Sequence, residues 1–485
     1  MLPFNSLPSS LILTLLISLD SLGGLSYGAP NPIAQPLSIP LVRRSQKPRD
    51  ITELGTWAKK QRLALEAKYG IGQTSDKRSS GMNLLTNQNA DSSYFGSLAV
   101  GTPPISYDVI LDTGSADFWL AGSNSSSIPT GIPTFDTSAS SSFVDLKTSF
   151  SIRYGSGAAA GTLGSDVVQM AGFEVSNQTF AVVSEVSTNM LTTPVSGILG
   201  LGWDTIAASG VKPFWQVLAE TDGLLDEPVM AFQLTQYIDD SSARSSEPGG
   251  TFTFGAVNSS LYTGDIDYQD IPDGSAGYWI LQLKTLNVQG QSLTLSGTSY
   301  AAIDTGTTLV GGPSSMIASL YSQIPGSAAA TGEYDGYYTY PCSTEVSISL
   351  GFGSSSNTWS IDPSVFKLAQ LSQDSCLGAF FELSSSGSST PEWIVGDTFL
   401  KNVYSVFRAS NPPAVGFANL SSIALAMNGA DGSLPTPTIG SVVAATATGA
   451  GSDRAQSSGS RTGGSVPIQG LFILVASCLL GVLLQ

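Results

Sequence analysis

The sequence predicts a mainly β protein built as two related lobes that face one cleft. Three observations carry that expectation. First, Val109-Ile110-Leu111-Asp112-Thr113-Gly114-Ser115 returns as Ala301-Ala302-Ile303-Asp304-Thr305-Gly306-Thr307, 192 residues later. Second, each copy is followed at a similar distance by an apolar pair closed by glycine. These are Ile198-Leu199-Gly200, 86 residues after Asp112, and Ile394-Val395-Gly396, 90 residues after Asp304. A repeat that deep implies two copies of one structural plan. Third, charged residues are only 12% of the chain while glycine numbers 52, which suits short strands separated by turns better than long solvated helices.

Each copy has its own local logic. The apolar run reads as a buried strand, and it delivers a carboxylate to a tight turn. Gly114 and Gly306 allow backbone angles and close approaches that side chains forbid. The hydroxyls of Ser115 and Thr307 can bond the carboxylates, and those of Thr113 and Thr305 can brace the two turns. Asp112 and Asp304 are therefore the candidate acid/base pair. Histidine is absent from all 485 residues. That excludes Ser-His-Asp and Cys-His catalysis and imidazole-based zinc sites, and leaves carboxylates as the obvious proton-handling groups. A net charge of −17 argues against nucleic-acid binding.

Taken together, these motifs resemble the pepsin-like aspartic endopeptidases. The resemblance runs from Tyr94 to Asn419 and rests on Asp112-Thr113-Gly114-Ser115-Ala116-Asp117-Phe118-Trp119, Tyr154-Gly155-Ser156-Gly157, the Ile-Leu-Gly-Leu-Gly run and Asp304-Thr305-Gly306-Thr307-Thr308. It implies the bilobal pepsin-like acid protease fold, two pseudo-symmetric β-barrel-like lobes with a central cleft. It also implies an endopeptidase that hydrolyses peptide bonds at acidic pH, with two Asp residues activating a water. The partners would be protein or peptide substrates, with neither metal nor organic cofactor, and the chain would be a monomer. By the same resemblance Tyr154, Gly155 and Ser156 form a flap over the substrate, with Tyr154 partnering Trp119. Among fungal members the two ends of the chain are most similar to the glycolipid-anchored, yapsin-like type.

In chain order, residues 1–28 read as a secretory signal, with Leu11–Leu22 largely apolar and small residues before the cut. Residues 29–78 read as a propeptide. Ten of the 20 Lys and Arg lie between Arg43 and Arg78, and Lys77-Arg78 offers a dibasic processing site. Lys68-Tyr69 resembles the family's pro-segment pair, which implies an ammonium plugging the cleft between the two carboxylates. Removing residues 1–78 leaves 10 basic against 32 acidic residues, a net of −22. Such a chain repels itself at neutral pH and approaches neutrality in acid.

Residues 79–235 are expected to form the N-terminal lobe and 236–420 the C-terminal lobe. Ser151–Val167 reads as a hairpin with a glycine-rich tip, and Ser314–Gln323 as a short helix. Cys342 and Cys376 are the only cysteines of this body. A secreted chain favours their oxidation, so a Cys342–Cys376 disulfide is expected. Asn124, Asn177, Asn258 and Asn419 head glycosylation sequons.

After Leu420 the chain turns to Ser, Thr, Ala, Gly and Pro, which reads as a stalk over 421–464. Residues 465–485 are an apolar tail. Small residues at Ser457-Ser458, a polar spacer and that tail match a GPI-attachment signal, with Gly449–Ser452 a competing site and a conventional transmembrane anchor the rival reading. The protein is therefore expected at the plasma membrane or cell wall, with release as a secreted form also allowed. Two other functions fit parts of the sequence. A glycoside hydrolase also uses paired carboxylates, but needs no duplicated Asp-Thr-Gly turn. A catalytically silent adhesin or inhibitor on the same fold would not need both Asp residues and Tyr154.

Overall fold

The computed structural model describes residues 80–446, except 126, 239, 273–276, 296, 384–390, 431–433, 435–438 and 441–444. The expected signal and propeptide with Lys68 and Tyr69, and the tail with Ser457 and Ser458, lie outside the described residues.

The first lobe is built on a ring of strands. Ser93–Val100, Ile105–Asp112, Val195–Gly200, Phe118–Ala121, Phe173–Val186 and Gly157–Met170 hydrogen-bond in that order, and Gly157–Met170 pairs back onto Ser93–Val100. Within the ring, Ile105–Asp112 runs parallel to Val195–Gly200, with Ile110 opposite Ile198 and Asp112 opposite Gly200. Phe118–Ala121 is antiparallel on the other flank of Val195–Gly200. The second lobe repeats the arrangement. Ser299–Ile303 runs parallel to Trp393–Val395, and Val310–Pro313 flanks that strand antiparallel.

The two Asp-bearing runs are thus each zipped to their own Ile-X-Gly run. This is why both motifs are continuous apolar stretches: their strands are covered on both faces. Leu111, Leu199, Ile303 and Val395 are all buried. Glycine ends the partner strand for a steric reason. A Cβ on Gly200 would sit 2.4 Å from the Ala116 carbonyl carbon, and one on Gly396 2.0 Å from the Thr307 carbonyl oxygen. The amides of Gly200 and Gly396 bond the carbonyls of Asp117 (3.0 Å) and Leu309 (3.1 Å), each five residues beyond its Asp.

A shared platform was not foreseen. Tyr262–Asp270, Ala414–Leu420, Val403–Arg408, Val229–Leu234, Ser246–Phe254 and Gly81–Gln88 form consecutive strands of the same large sheet. Ser246–Phe254, from the part of the chain expected in the C-terminal lobe, pairs with Gly81–Gln88 of the first. The division at 235/236 therefore runs through a sheet rather than between two bodies. Phe232, Phe252, Phe254, Phe407 and Trp279 fill the core at this platform, with Phe232 and Phe252 ring centroids 4.7 Å apart.

The expected hairpin is present, with Val144–Tyr154 paired to Gly157–Met170 and Tyr154 opposite Gly157. The expected helix spans Ser314–Ser322 and buries Met316, Ile317, Leu320 and Tyr321 at helical spacing. Cys342 and Cys376 form a disulfide in the second lobe, where Tyr340 lies opposite Cys376 in adjacent strands. The expected change of character at Leu420 does not occur there. Ser421 caps a short helix, Ser422–Leu425, through its hydroxyl and the Ala424 amide, and Ala424 is buried. Local capping and one buried methyl hold this turn although its composition is stalk-like.

Gly396→Ala tests the packing of the second zipped pair. The Cβ would collide with backbone, so the variant is expected to lose about 1–3 kcal/mol of stability, the usual cost of overpacking. Gly290→Ala is the control. Gly290 has open space around a Cβ but φ +76°, so its change carries backbone strain alone. A thermal or urea melt of Gly396→Ala matching wild type would refute the steric account.

Candidate active site

The two Asp-Thr-Gly turns meet. A Cβ built on Gly306 would lie 2.3 Å from Asp112 Oδ1, and one on Gly114 would lie 2.5 Å from Asp304 Cγ. Each turn's glycine therefore abuts the opposite carboxylate, and no larger residue fits at either position. Asp112 is 6% exposed and Asp304 9% exposed.

Each carboxylate is held the same way. Gly114 N donates to Asp112 Oδ1 and Gly306 N to Asp304 Oδ1, both at 2.8 Å. The outer oxygens take hydroxyls: Ser115 Oγ donates to Asp112 Oδ2, and Thr307 Oγ1 to Asp304 Oδ2 at 2.7 Å. Behind them the threonines cross over. Thr113 Oγ1 donates to Ile303 O (2.8 Å) and accepts from Thr305 N (3.0 Å). Thr305 Oγ1 donates to Leu111 O (2.6 Å) and accepts from Thr113 N (3.1 Å). These four bonds link residues about 190 apart and lock one lobe's turn to the other's. All the members expected as supporting groups thus come together around the two carboxylates.

Burial pushes the Asp112 carboxyl well above the ordinary carboxylate range, and the facing Asp304 charge pushes it further. The hydroxyl of Ser115 and the amide of Gly114 pull the other way. Two carboxylates that share one proton for this reason are the standard case in aspartic proteases.

The hairpin brings its tyrosine to the same place. Trp119 Nε1 donates to Tyr154 Oη at 2.9 Å, with Trp119 fully buried. Gly155 and Ser156 are exposed at the tip, and a Cβ on Gly155 would meet nothing within 4 Å. Burial raises the Tyr154 phenol pKa, and the Asp112 charge adds to it, so the phenol stays neutral.

Several site residues had no sequence signal. Asp117, although part of the Asp112–Trp119 motif, has a structural role that the motif does not reveal: its carboxylate accepts the amides of Ala208 (2.7 Å) and Ser209 (2.9 Å). Asp91 and Lys401 form a buried ion pair at 2.8 Å, with side chains 1% and 3% exposed. Asp91 also accepts from Asn87 and from the Tyr237 amide. Next to this pair is Asp397, whose own amide bonds Thr307 O (2.8 Å) in the second catalytic-type turn. Asp397 is buried and its Oδ1 has no hydrogen-bond partner. Burial raises its carboxyl well above the ordinary range, although the Lys401 charge opposes this. The one available hint was asymmetry between repeats: Gly396 is followed by Asp where Gly200 is followed by Leu201.

The sequons are presented differently. Asn124, Asn177 and Asn419 are exposed. Asn258 is partly exposed, and its Oδ1 accepts from both the amide and the hydroxyl of Ser260. Among the described residues no helix is long and apolar enough to cross a membrane.

A fold of two zipped strand pairs, with two carboxylates meeting between them, defines an aspartic peptidase. Comparison with known proteins agrees. The family model for eukaryotic aspartyl proteases matches residues 93–420. The chain is 42% identical over 418 residues to the Major aspartyl peptidase 1 of Cryptococcus neoformans var. grubii, covering 79% of this chain and 85% of that protein. It is 35% identical over 396 residues to an Aspartic protease of Phaffia rhodozyma, covering 80% and 91%. It is 33% identical over 324 residues to Pepsin A of Sus scrofa, covering 66% and 80%. The chain belongs to the eukaryotic aspartyl protease family and is an aspartic endopeptidase of pepsin type.

The raised Asp112 carboxyl fixes the sign of a pH effect on stability. In the fold the proton is held more tightly than in the unfolded chain. The resulting stabilisation is complete below the ordinary carboxylate pKa and is lost as pH rises through the raised value. Asp112→Asn cannot lose a proton, so its melting temperature minus that of wild type should become more positive from pH 4 to pH 8. Calorimetry across that range checks this, and a difference that is flat or falls with pH would refute it.

Proposed function

We propose that this protein is a secreted, cell-surface endopeptidase of the GPI-anchored, yapsin-like kind, which cleaves peptide bonds in acid with Asp112 and Asp304 as its catalytic pair. The observation that carries the catalytic reading is the mutual contact of the two turns, each glycine pressed against the other's carboxylate. Two acids so placed share one proton over an acidic window. The ionised member takes a proton from a water molecule as its oxygen attacks the scissile carbonyl carbon. The protonated member gives its proton to the carbonyl oxygen. The pair's proton then passes to the amide nitrogen, the C–N bond breaks, and a hydroxyl of the tetrahedral intermediate returns one proton to the pair as the carboxylic acid forms. Ser115 and Thr307 hold the outer oxygens, which leaves the inner ones for this chemistry. Thr113, Gly114, Thr305 and Gly306 keep the geometry. Tyr154, Gly155, Ser156 and Trp119 act as the flap and its anchor, with Tyr154 closing over an extended peptide.

The cellular reading rests on other features. The apolar N-terminal stretch, a disulfide between Cys342 and Cys376 and three exposed sequons, Asn124, Asn177 and Asn419, favour passage through an oxidising secretory route. Asn258 is the fourth glycosylation candidate. The domain scheme is a signal at 1–28, a propeptide at 29–78 with Lys68 and Tyr69 as its plug, and two lobes over 79–420. Attachment at Ser457 or Ser458, followed by the apolar tail, would anchor the enzyme at the plasma membrane or cell wall, with a monomeric body acting on protein or peptide substrates.

Two experiments test these readings. The processed enzyme should digest casein between about pH 3 and 6, the range in which coupled carboxylates titrate. A statine-type inhibitor should block it, and Asp112→Asn or Asp304→Asn should each lower kcat by about 10²–10⁴-fold or more, the scale of general acid–base catalysis. Wild-type activity in either variant would overturn the assignment. For the anchor, phosphatidylinositol-specific phospholipase C should release the enzyme from membranes of the expressing cell. A chain that stays membrane-bound after treatment would argue for the conventional transmembrane rival.

A further inference from the structure

The family match ends at residue 420, yet the described residues beyond it touch the enzyme at four places. The first is the second lobe's own end. Ser421 Oγ donates to Ser260 O (2.7 Å), and the Ser422–Leu425 helix follows. The second is a clamp on the segment leaving Val229–Leu234. The Gln236 amide donates to Asn428 Oδ1 (3.1 Å), Gly429 N donates to Gln236 O (3.0 Å), and Tyr237 Oη donates to Ala430 O (3.1 Å). Tyr237 and Ile238 in turn give their amides to Asp91, the buried partner of Lys401.

The third place is on the first lobe. The turn between Gly157–Met170 and Phe173–Val186 has positive φ at Ala171 (53°) and Gly172 (85°). The Gly172 amide is not used inside that hairpin. It donates to Ile439 O at 2.9 Å. Beside it, Gly440 packs against Gln169 so closely that a Cβ would lie 2.2 Å from Gln169 Oε1 and 3.2 Å from its Cβ. The fourth place is the strand that carries Asp112. Ala445 and Thr446 pair in parallel with Ile105 and Ser106. Pairing of that strand with Val195–Gly200 begins only at Asp108. The added pair therefore occupies a stretch of edge that the ring of the first lobe leaves open.

We propose that Ser421–Ala430, Ile439–Gly440 and Ala445–Thr446 act as a strap of the folded enzyme, which ties the last strand of the second lobe to the base of the strand that presents Asp112. A free strand edge and an unused turn amide are open hydrogen-bonding groups. The strap supplies partners for both. Its described contacts also link the two lobes at points away from the platform. A tether can begin only after Thr446. The inference concerns this chain's own backbone and holds whether or not the tail is lipidated.

The test compares the full chain with chains ending at Thr446 and at Ala430, and with Gly440→Val in the full chain. Tm is read by calorimetry and amide exchange by hydrogen–deuterium exchange. The chain ending at Thr446 should match the full chain. The chain ending at Ala430 should melt at least about 3 °C lower, a shift expected when a few contacts are lost. Exchange at Gly172 and at Ile105–Ser106 should be at least about 10-fold faster in it, since those amides then open locally. Gly440→Val should reproduce the faster exchange at Gly172, and this arm decides the matter if the shorter chain does not fold. Unchanged exchange at Gly172 in Gly440→Val, or an Ala430-terminated chain with full-length Tm and exchange, would overturn the proposal.

Discussion

Everything in this structure answers to the cost of pressing two carboxyl groups together away from water. Two negative charges at such range cannot both persist in a low-dielectric setting. Left alone, the turns would part. The crossed threonine bonds prevent that, and their partners are the backbone groups on either side of each Asp: Leu111 O, Thr113 N, Ile303 O and Thr305 N. The clasp therefore holds the chain at the two points where repulsion acts. The glycines serve the same end from the other side, because any side chain at 114 or 306 would occupy the space of a carboxylate. A proton shared by the pair, as the proposed mechanism has it, would then relieve this contact as well as serve the chemistry. Without it, the clasp would have to withstand a full like-charge contact.

The same economy of charge is visible beneath the second turn. Asp91, Lys401 and Asp397 put two acids around one buried ammonium. Lys401 pairs directly with Asp91, and Asp397 lacks a hydrogen-bond partner at Oδ1. Breaking a buried ion pair leaves one uncompensated charge, which is far more costly than losing a surface pair. Asp91 spends its remaining acceptor capacity on Asn87 and on the amides of Tyr237 and Ile238. The pair thus links the start of the first lobe, the exit of Val229–Leu234 and the helix after Gly396. Burial raises the Asp397 carboxyl above the ordinary range, so a second negative charge beside Asp304 is disfavoured.

The legible part of the sequence was whatever the fold had duplicated. A strand buried on both faces must be apolar, a turn that meets its twin must have glycine, and an acid repeated in the same apolar context stands out in a chain without histidine. Hence Asp112, Asp304, their supporting Thr, Gly and Ser/Thr residues, and the paired Ile-X-Gly strands could be read directly. The hairpin tip and the Ser314–Ser322 helix followed from local pattern. The platform could not be read, because Ser246–Phe254 takes its place by pairing with Gly81–Gln88, more than 150 residues away. Lys401 and Asp91, 310 residues apart, each look like ordinary surface charges until burial is known. The stretch after Leu420 misled for a related reason. Its contacts are mainly backbone bonds, and backbone bonding leaves little trace in composition.

Charge over the whole chain and charge at the pair favour the same pH direction. The residues after Arg78 carry a net of −22 at neutral pH, so acidification relieves repulsion across the surface. At the core, acidification supplies the proton that Asp112 and Asp397 bind more tightly in the fold than in the unfolded chain. Carboxylates whose pKa the fold depresses act oppositely. Glu247, held by Arg244, and Asp136 and Asp240, each bonded to a nearby serine, prefer to stay ionised. Asp136 is exposed and Asp240 partly exposed, where such bonds contribute little, and Glu247 is buried but its Arg244 partner is half exposed. Acid strengthens the folded state at the Asp112–Asp304 pair, the same locus where the proposed peptide hydrolysis needs a proton, so one proton would serve both the stability of the site and its chemistry.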